Sequence, residues 1–269
     1  MRHAHYKLLP HRERARHRVP ANFPAVSVQT HRRTTGFNPA SIAGLRVWLK
    51  ADALAQADNT PVALWPDLSG SGNDVAQATG MKQPTFKAAQ LNGRPVLRFD
   101  GIDDTLFKTA LAGFTCNHGH SIFAVLCPTS LAAYRMAVVT NYQKNELRQN
   151  NGGGRAQWLV PSGLNQVDGL SSVVGLWKVW TGTYEVATQK LELHVNGVKQ
   201  SSASDAGPLA VGDLYIGSRT DTYGWLGDMA EVLIYDAALT VATSSDETRH
   251  PHHPGGGSSA RQWRSENPF

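Results

Sequence analysis

"LELHVNGVKQ", residues 191–200, carries two structural signals at once. Leu191, Leu193 and Val195 alternate with Glu192 and His194, the period of a strand with one buried face and one wet face. Asn196-Gly197 follows, and both central positions of a tight hairpin turn need the positive φ that Asn and Gly adopt most readily. The reading is a β-hairpin, with the leucines toward a core and His194 solvated. Asn92-Gly93 in "QLNGRPVL" is a second turn of the same kind.

Outward from this hairpin the same grammar repeats. "LRVWLKA" (45–51), "RPVLRFD" (94–100), "SIFAVLC" (121–127), "YRMAVVT" (134–140) and "RAQWLV" (155–160) are short and rich in β-branched and aromatic residues. So are "LWKVWTGTY" (176–184), "GDLYIGS" (212–218) and "GDMAEVLIYD" (227–236). Gly, Asn, Asp, Ser or Pro separates each from the next, and no convincing helix-period segment interrupts them. This pattern predicts an all-β fold of two packed antiparallel sheets.

Charge divides the chain. Residues 1–35 carry eight Lys or Arg against Glu13 alone, whereas the span from Gly36 to Leu239 carries 15 basic and 17 acidic residues. The net charge of +5 therefore belongs to the N-terminal segment, and residues 1–36 read as a basic disordered tail. A basic tail without a basic folded face argues against nucleic acid as the partner. No apolar run is long enough for a membrane helix, and no signal peptide is visible. Cys116 and Cys127 bracket one strand, too far apart along extended chain for a disulfide, and read as free buried thiols.

The ordered blocks "GLRVWLKADAL", "WPDLSGSGND", "QPTF", "LNGRPVLRFDGIDDTLF", "SIFAVLCP", "GTYE", "LELHVNGV", "LYIGSR" and "GWLGDMAEVLIYDAAL" resemble the laminin-G-like branch of the concanavalin A-like lectin/glucanase superfamily. The resemblance implies a jelly-roll sandwich over residues 37–240, a type of module found in exported or surface proteins of bacteria. Its members bind sugars, adhere to proteins or, in some cases, hydrolyse glycans, so the fold alone does not choose. The sequence departs from the family after Leu239, where a closing helical segment gives way to an aperiodic, triple-Gly stretch. Residues 241–269 accordingly read as a disordered tail.

Catalytic spacing is missing from this reading. A glucanase needs two carboxylates on one strand face, two or four residues apart. Asp228 and Glu231 are three apart and are expected on opposite faces; Asp103 and Asp104 are adjacent and also diverge. No hydrolase elbow or zinc spacing occurs either. A non-catalytic binding module follows, with carbohydrate recognition first, an adhesive protein-interaction module of a surface or virion-fibre protein as the rival, and a glycoside hydrolase of the same fold as the third reading. The expected partner is a glycan or an extracellular protein, at an extracellular or cell-surface location.

Two clusters offer ligand chemistry. "SRTDTYGW" supplies Arg219, Asp221, Tyr223 and Trp225, and the stretch 140–158 supplies Tyr142 and Asn145, with Asn150, Asn151 and Trp158 beside them. Aromatic platforms with a few planar polar groups suit a sugar, while core packing is the competing role for both tryptophans. A calcium site is the second expectation. Asp67, Ser69, Asn73 and Asp74 in "DLSGSGND" are hard oxygen donors in a glycine-rich loop, and Asp100 and Asp103 of "FDGIDD" would approach them from another loop. The competing role for these residues is local: Asx-turns that satisfy backbone donors.

Overall fold

The computed structural model describes residues 37–131, 134–141, 145–159, 165–207, 212–219 and 223–241. The expected tails 1–36 and, from residue 242, 241–269 lie outside the described residues. What folds is the two-sheet antiparallel sandwich that the sequence pattern predicts.

The first sheet runs in the order β14 (Val198–Ser204), β13 (Lys190–Val195), β12 (Lys178–Glu185), β7 (Gly119–Pro128), β16 (Leu226–Tyr235), β5 (Arg94–Asp100), β4 (Thr85–Leu91), and β1 (Leu45–Lys50) also pairs with β16. The second runs β11 (Gln166–Ser172), β10 (Arg155–Leu159), β9 (Asn145–Gln149), β8 (Arg135–Asn141), β15 (Leu214–Ile216), β6 (Leu106–Lys108), β3 (Val75–Ala76), β2 (Leu64–Trp65). The hairpin predicted at Asn196-Gly197 is β13–β14, with Asn196 at φ 51° and Gly197 at 73°.

Between the sheets lies a core built on Trp65, Trp158, Trp180 and Trp225, with Phe99, Leu97 and Ile122 among the side chains packed around them. Trp180 meets Trp225 edge-on at 5.7 Å. A smaller cluster, Leu45, Phe123, Leu233 and Tyr235, sits on the outer face of the first sheet under Ile42, Trp48, Leu239 and Val241. Chain on both sides fastens this cover: the Tyr235 hydroxyl donates to the Pro39 carbonyl at 3.1 Å, and the Leu239 amide to Ser121 Oγ at 2.8 Å. Central β7 is thus covered on both faces and buried along its whole length, which explains why "SIFAVLC" does not alternate. Cys116 and Cys127 are free and buried, as expected.

Two local expectations are corrected. His194 is 2% exposed, between Thr181 and Lys199 in register, with Nε2 3.2 Å from the Glu192 carboxylate; it is not a solvated strand residue. Asp228 and Glu231 share one face although they are three apart. The pairing of β16 with β7 slips between Met229 and Glu231, so Ala230 is an extra residue in a β-bulge. Met229 and Val232 consequently both enter the core, while Asp228 and Glu231 both point out, to Arg98 and to Trp48 Nε1. Simple period-two counting fails wherever a bulge resets it.

Candidate functional site

Residues directly paired on neighbouring strands share a sheet face. On the second sheet Arg148, Gln157 and Asp168 form one such row across β9, β10 and β11. Leu147, Ala156, Trp158 and Val167, their neighbours in sequence, enter the core, so the polar row faces outward. The neighbouring row joins Phe107, Tyr215, Val139, Glu146, Leu159 and Gln166 across six strands.

The polar half of this face is hydrogen-bonded end to end. Arg148 Nη1 donates to Glu146 Oε2 at 2.7 Å and Nε to Gln157 Oε1 at 2.6 Å, while Nη2 reaches Gln166 Oε1 at 3.3 Å. Gln157 Nε2 passes the chain to Asp168 Oδ1 at 2.8 Å, and Asn150 Nδ2 donates to the same oxygen at 3.0 Å. Glu146 and Gln157 are buried and form the floor; Asn150 and Asp168 are half-buried and Gln166 is exposed. Over the guanidinium lies the Tyr134 ring at 4.6 Å, a cation–π contact, and Tyr223 stands edge-on to Tyr134 at 6.2 Å.

Arg135 holds this corner together. Its Nη1 donates to the Gly101 carbonyl at 2.7 Å and the Gly224 carbonyl at 2.9 Å, tying the loop after β5 to the segment before β16. The other half of the face is aromatic: Phe107 and Tyr215 stack at 6.1 Å and 23°, and the Arg219 guanidinium lies 6.0 Å from the Tyr215 ring. Chemically, the face offers planar donors and acceptors held in fixed geometry beside aromatic rings.

The predicted ligand residues separate on inspection. Tyr223 and Arg219 reach this face, and the stretches around 148 and 223 meet there. Trp225 does not: it is fully buried against Trp180 and has no ring face to offer a ligand. Asn145 is fully buried too, two positions from core Leu147 on the inward side of β9. Tyr142 and Asp221 lie outside the described residues. Sequence reasoning missed Tyr134, Arg148, Gln157 and Asp168. Taking Leu147 and Trp158 as inward markers in "NELRQ" and "RAQWL" would have pointed Arg148 and Gln157 outward.

The expected calcium set divides in two. Asp67 Oδ1 accepts the amides of Trp48 (2.8 Å) and Ser69 (2.9 Å), and its Oδ2 accepts Ser69 Oγ (2.7 Å) and the Asn73 amide (3.0 Å). Asp74 accepts the Asp67 amide, and buried Asn73 bridges Arg46 and Ala112. These oxygens hold the loop together through hydrogen bonds to its own backbone and side chains, the local role that competes with a cation site. Among the described residues, the acidic group whose ligand atoms lie within 4.8 Å of one another is instead Asp100, Asp103 and Asp104. Burial, reinforced by the Asp100 and Asp103 charges, pushes the Asp104 carboxyl up to about 7, while the bond from the Asp100 amide opposes that rise. Hard carboxylate donors this close fit a divalent cation such as calcium.

Comparison with known families returns a model described as the concanavalin A-like lectin/glucanases superfamily, a laminin-G type, matching residues 100–243. That is more than half of the sequence, and the chain belongs to this family. Among solved structures it is similar to the Trypanosoma rangeli sialidase in complex with sialic acid, with a TM-score of 0.55 and 13% identity over 77% of this chain and 34% of that one. It is also similar to domain 4 of an extracellular arabinanase from Geobacillus stearothermophilus, in complex with arabinotriose, with a TM-score of 0.52 and 14% identity over 77% and 98% of the two chains. A third is the binding domain of botulinum neurotoxin serotype D, with a TM-score of 0.52 and 15% identity over 73% and 49%. The chain spans about a third of the sialidase, and at these identities the similarity is one of fold. No curated protein matches the sequence.

Proposed function

We propose that the outer face of the second sheet is a carbohydrate-binding surface and that the protein acts by binding, without bond cleavage. The observation that carries this reading is the row Arg148–Gln157–Asp168 with Asn150, planar groups locked by one another beside Tyr134 and Tyr223. A sugar presents vicinal hydroxyls, each both donor and acceptor, and C–H faces that pack on aromatic rings; fixed partners of this kind bind it at little ordering cost. Arg148 holds Glu146, and Gln157 and Asn150 hold Asp168, so both carboxylates serve orientation and not proton transfer. The arabinanase domain with its arabinotriose supports sugar as the ligand class on this fold.

A glycan array followed by calorimetry tests the reading. Asp168→Ala and Tyr223→Ala are each expected to weaken the best array ligand about tenfold or more, with unfolding midpoints little changed. The rival reading, protein adhesion, is favoured by the exposed Leu64 and Phe107 at the aromatic end of the face. An array without a single hit would select it. Calcium belongs to the proposal in one place: Asp100, Asp103 and Asp104 would hold it, and its charge would offset three crowded carboxylates. Melting in calcium against chelator is expected to show a rise that Asp103→Asn removes, because a ligand of the native state alone must stabilise it.

A further inference from the structure

The exposed apolar side chains of this protein are not scattered. Among the described residues nine large ones stand exposed, and five of them, Met81, Ile102, Leu131, Leu176 and Val198, lie at one end of the sandwich. This is the end where β5, β7 and β13 finish and β12, β14 and β16 begin. Strand pairing fixes it: Leu226 faces Asp100, Gly227 faces Pro128, Lys178 faces Leu126, and Val195 faces Val198. Of the other four, Leu64, Phe107 and Leu170 are on strands of the second sheet, and Leu68 follows β2 toward the far end.

Each tip sits on or beside a different connection, and backbone hydrogen bonds hold these connections against one another. The Gly175 amide donates to the Pro128 carbonyl at 2.7 Å, Val173 to Gly154 at 2.9 Å, and Thr105 to Lys82 at 3.0 Å. Leu131 and Val174 both lie over Gly154, where an added Cβ would meet them at 2.9 and 2.5 Å. A second pattern accompanies the tips. Met81 precedes Lys82, Val198 precedes Lys199, and Leu176 is followed by half-buried Trp177 and then Lys178. Exposed Arg155 ends the glycine loop on which Leu131 rests. Lys82 lies 3.8 Å from Asp103 and Lys199 pairs with Glu192, whereas Arg155 and Lys178 form no salt bridge among the described residues. Ile102 is the exception, with Asp103 after it.

We propose that this end is a peripheral membrane contact, in which the aliphatic tips enter the headgroup and upper acyl region of a bilayer that bears anionic lipids. The arrangement favours lipid over protein. The tips are set apart, from β14 to the segment before β4, six strand intervals or roughly 29 Å in the first sheet. Protein hot spots are instead clustered and rich in aromatic and Arg anchors. A bilayer requires no shape match: it takes separate apolar points backed by an interfacial aromatic and by cations, and anionic headgroups add electrostatic attraction. The order Leu176, Trp177, Lys178 follows that gradient from the acyl region to the headgroups. The net charge of +5 has the matching sign. The tips lie outside the polar row of the second sheet, so the contact is independent of the sugar reading.

Flotation of the full chain with lipid vesicles tests this, in chelator so that no cation bridges Asp103 to lipid. Vesicles of phosphatidylcholine and phosphatidylserine in equal parts are expected to carry the protein, phosphatidylcholine alone to carry much less, and added salt to weaken the attachment. Leu131→Ser combined with Leu176→Ser should cut binding about tenfold or more, because each removes apolar area from the contact. The unfolding midpoint of that variant should stay near wild type, since both side chains are already exposed. Leu68→Ser, toward the far end, should bind as wild type does. No flotation on the mixed vesicles, equal flotation on both vesicle types, or equal flotation of the double variant and wild type overturns the proposal. So does a sedimentation mass twice that of the chain which the double variant halves, because the tips would then belong to a contact with a second copy.

Discussion

Gly182 marks the tightest approach between the two sheets. A Cβ built there would sit 2.4 Å from Cδ2 of Trp158, inside any real contact distance. The glycine sits mid-strand in β12, where it gives up backbone entropy and side-chain packing, so its place is explained by the indole that fills the space above it. Gly182→Ala forces Trp158 or the strand to shift and is expected to destabilise by about 1–3 kcal/mol, the usual cost of overpacking. Urea unfolding checks this; a midpoint unchanged from wild type would show that the sheets part freely there. His120 shares the same compartment, fully buried with its ring 5.4 Å from Trp158 and 5.9 Å from Phe114. Neither ring nitrogen has a hydrogen-bond partner among the described residues, and burial lowers its pKa to about 4. It is a neutral aromatic filler at pH 7.

Elements were legible in the sequence in proportion to their own periodicity. β13 announces itself through alternation, and β12 and β16 through their β-branched and aromatic content, while their neighbours follow from the turns. β9, "NELRQ", has no such signature: one residue, Leu147, enters the core cluster, and the strand forms because β8 and β10 supply its ladders. Much of the candidate site sits on that strand, which is why Arg148 and Glu146 stayed hidden while Tyr223 did not. The loop "WPDLSGSGND" was the opposite case, conspicuous for its acids yet structural. Asp67 gathers three backbone amides and one hydroxyl, and Asp67→Ala strands donors beside buried Asn73. Hydrogen bonds to a charged group contribute about 1.5–3 kcal/mol each when one is removed, and they are not additive. A loss of roughly 3 kcal/mol in denaturant unfolding, insensitive to calcium or chelator, is therefore expected. A loss that calcium modulates would return the loop to the metal reading.

At the scale of the whole molecule two buried groups oppose each other in pH. His120 has an ordinary value of 6.5 unfolded and about 4 folded, so between these the unfolded chain binds the extra proton and stability rises with pH. Asp104 goes from 3.8 unfolded to about 7 folded, so over nearly the same window the native state holds the extra proton and stability falls as pH rises. The His120 contribution is roughly 3 kcal/mol across its window, at about 1.4 kcal/mol per pKa unit. Wild type is accordingly expected to change little between pH 4.5 and 6.5, because the two slopes cancel. Each slope reappears when the other group is removed. His120→Leu should lose stability steadily as pH rises from 4.5 to 7, and Asp104→Asn, which keeps an acceptor for the Asp100 amide, should gain stability over 4.5 to 6.5. Urea midpoints at four pH values measure both. Parallel profiles for wild type and the two variants would sink the argument. Calcium supplies a cross-check, because a cation among Asp100, Asp103 and Asp104 lowers the Asp104 pKa and binds with proton release. Saturating calcium should therefore give wild type the rising slope of Asp104→Asn, and have a larger effect on the midpoint at pH 7.5 than at pH 5.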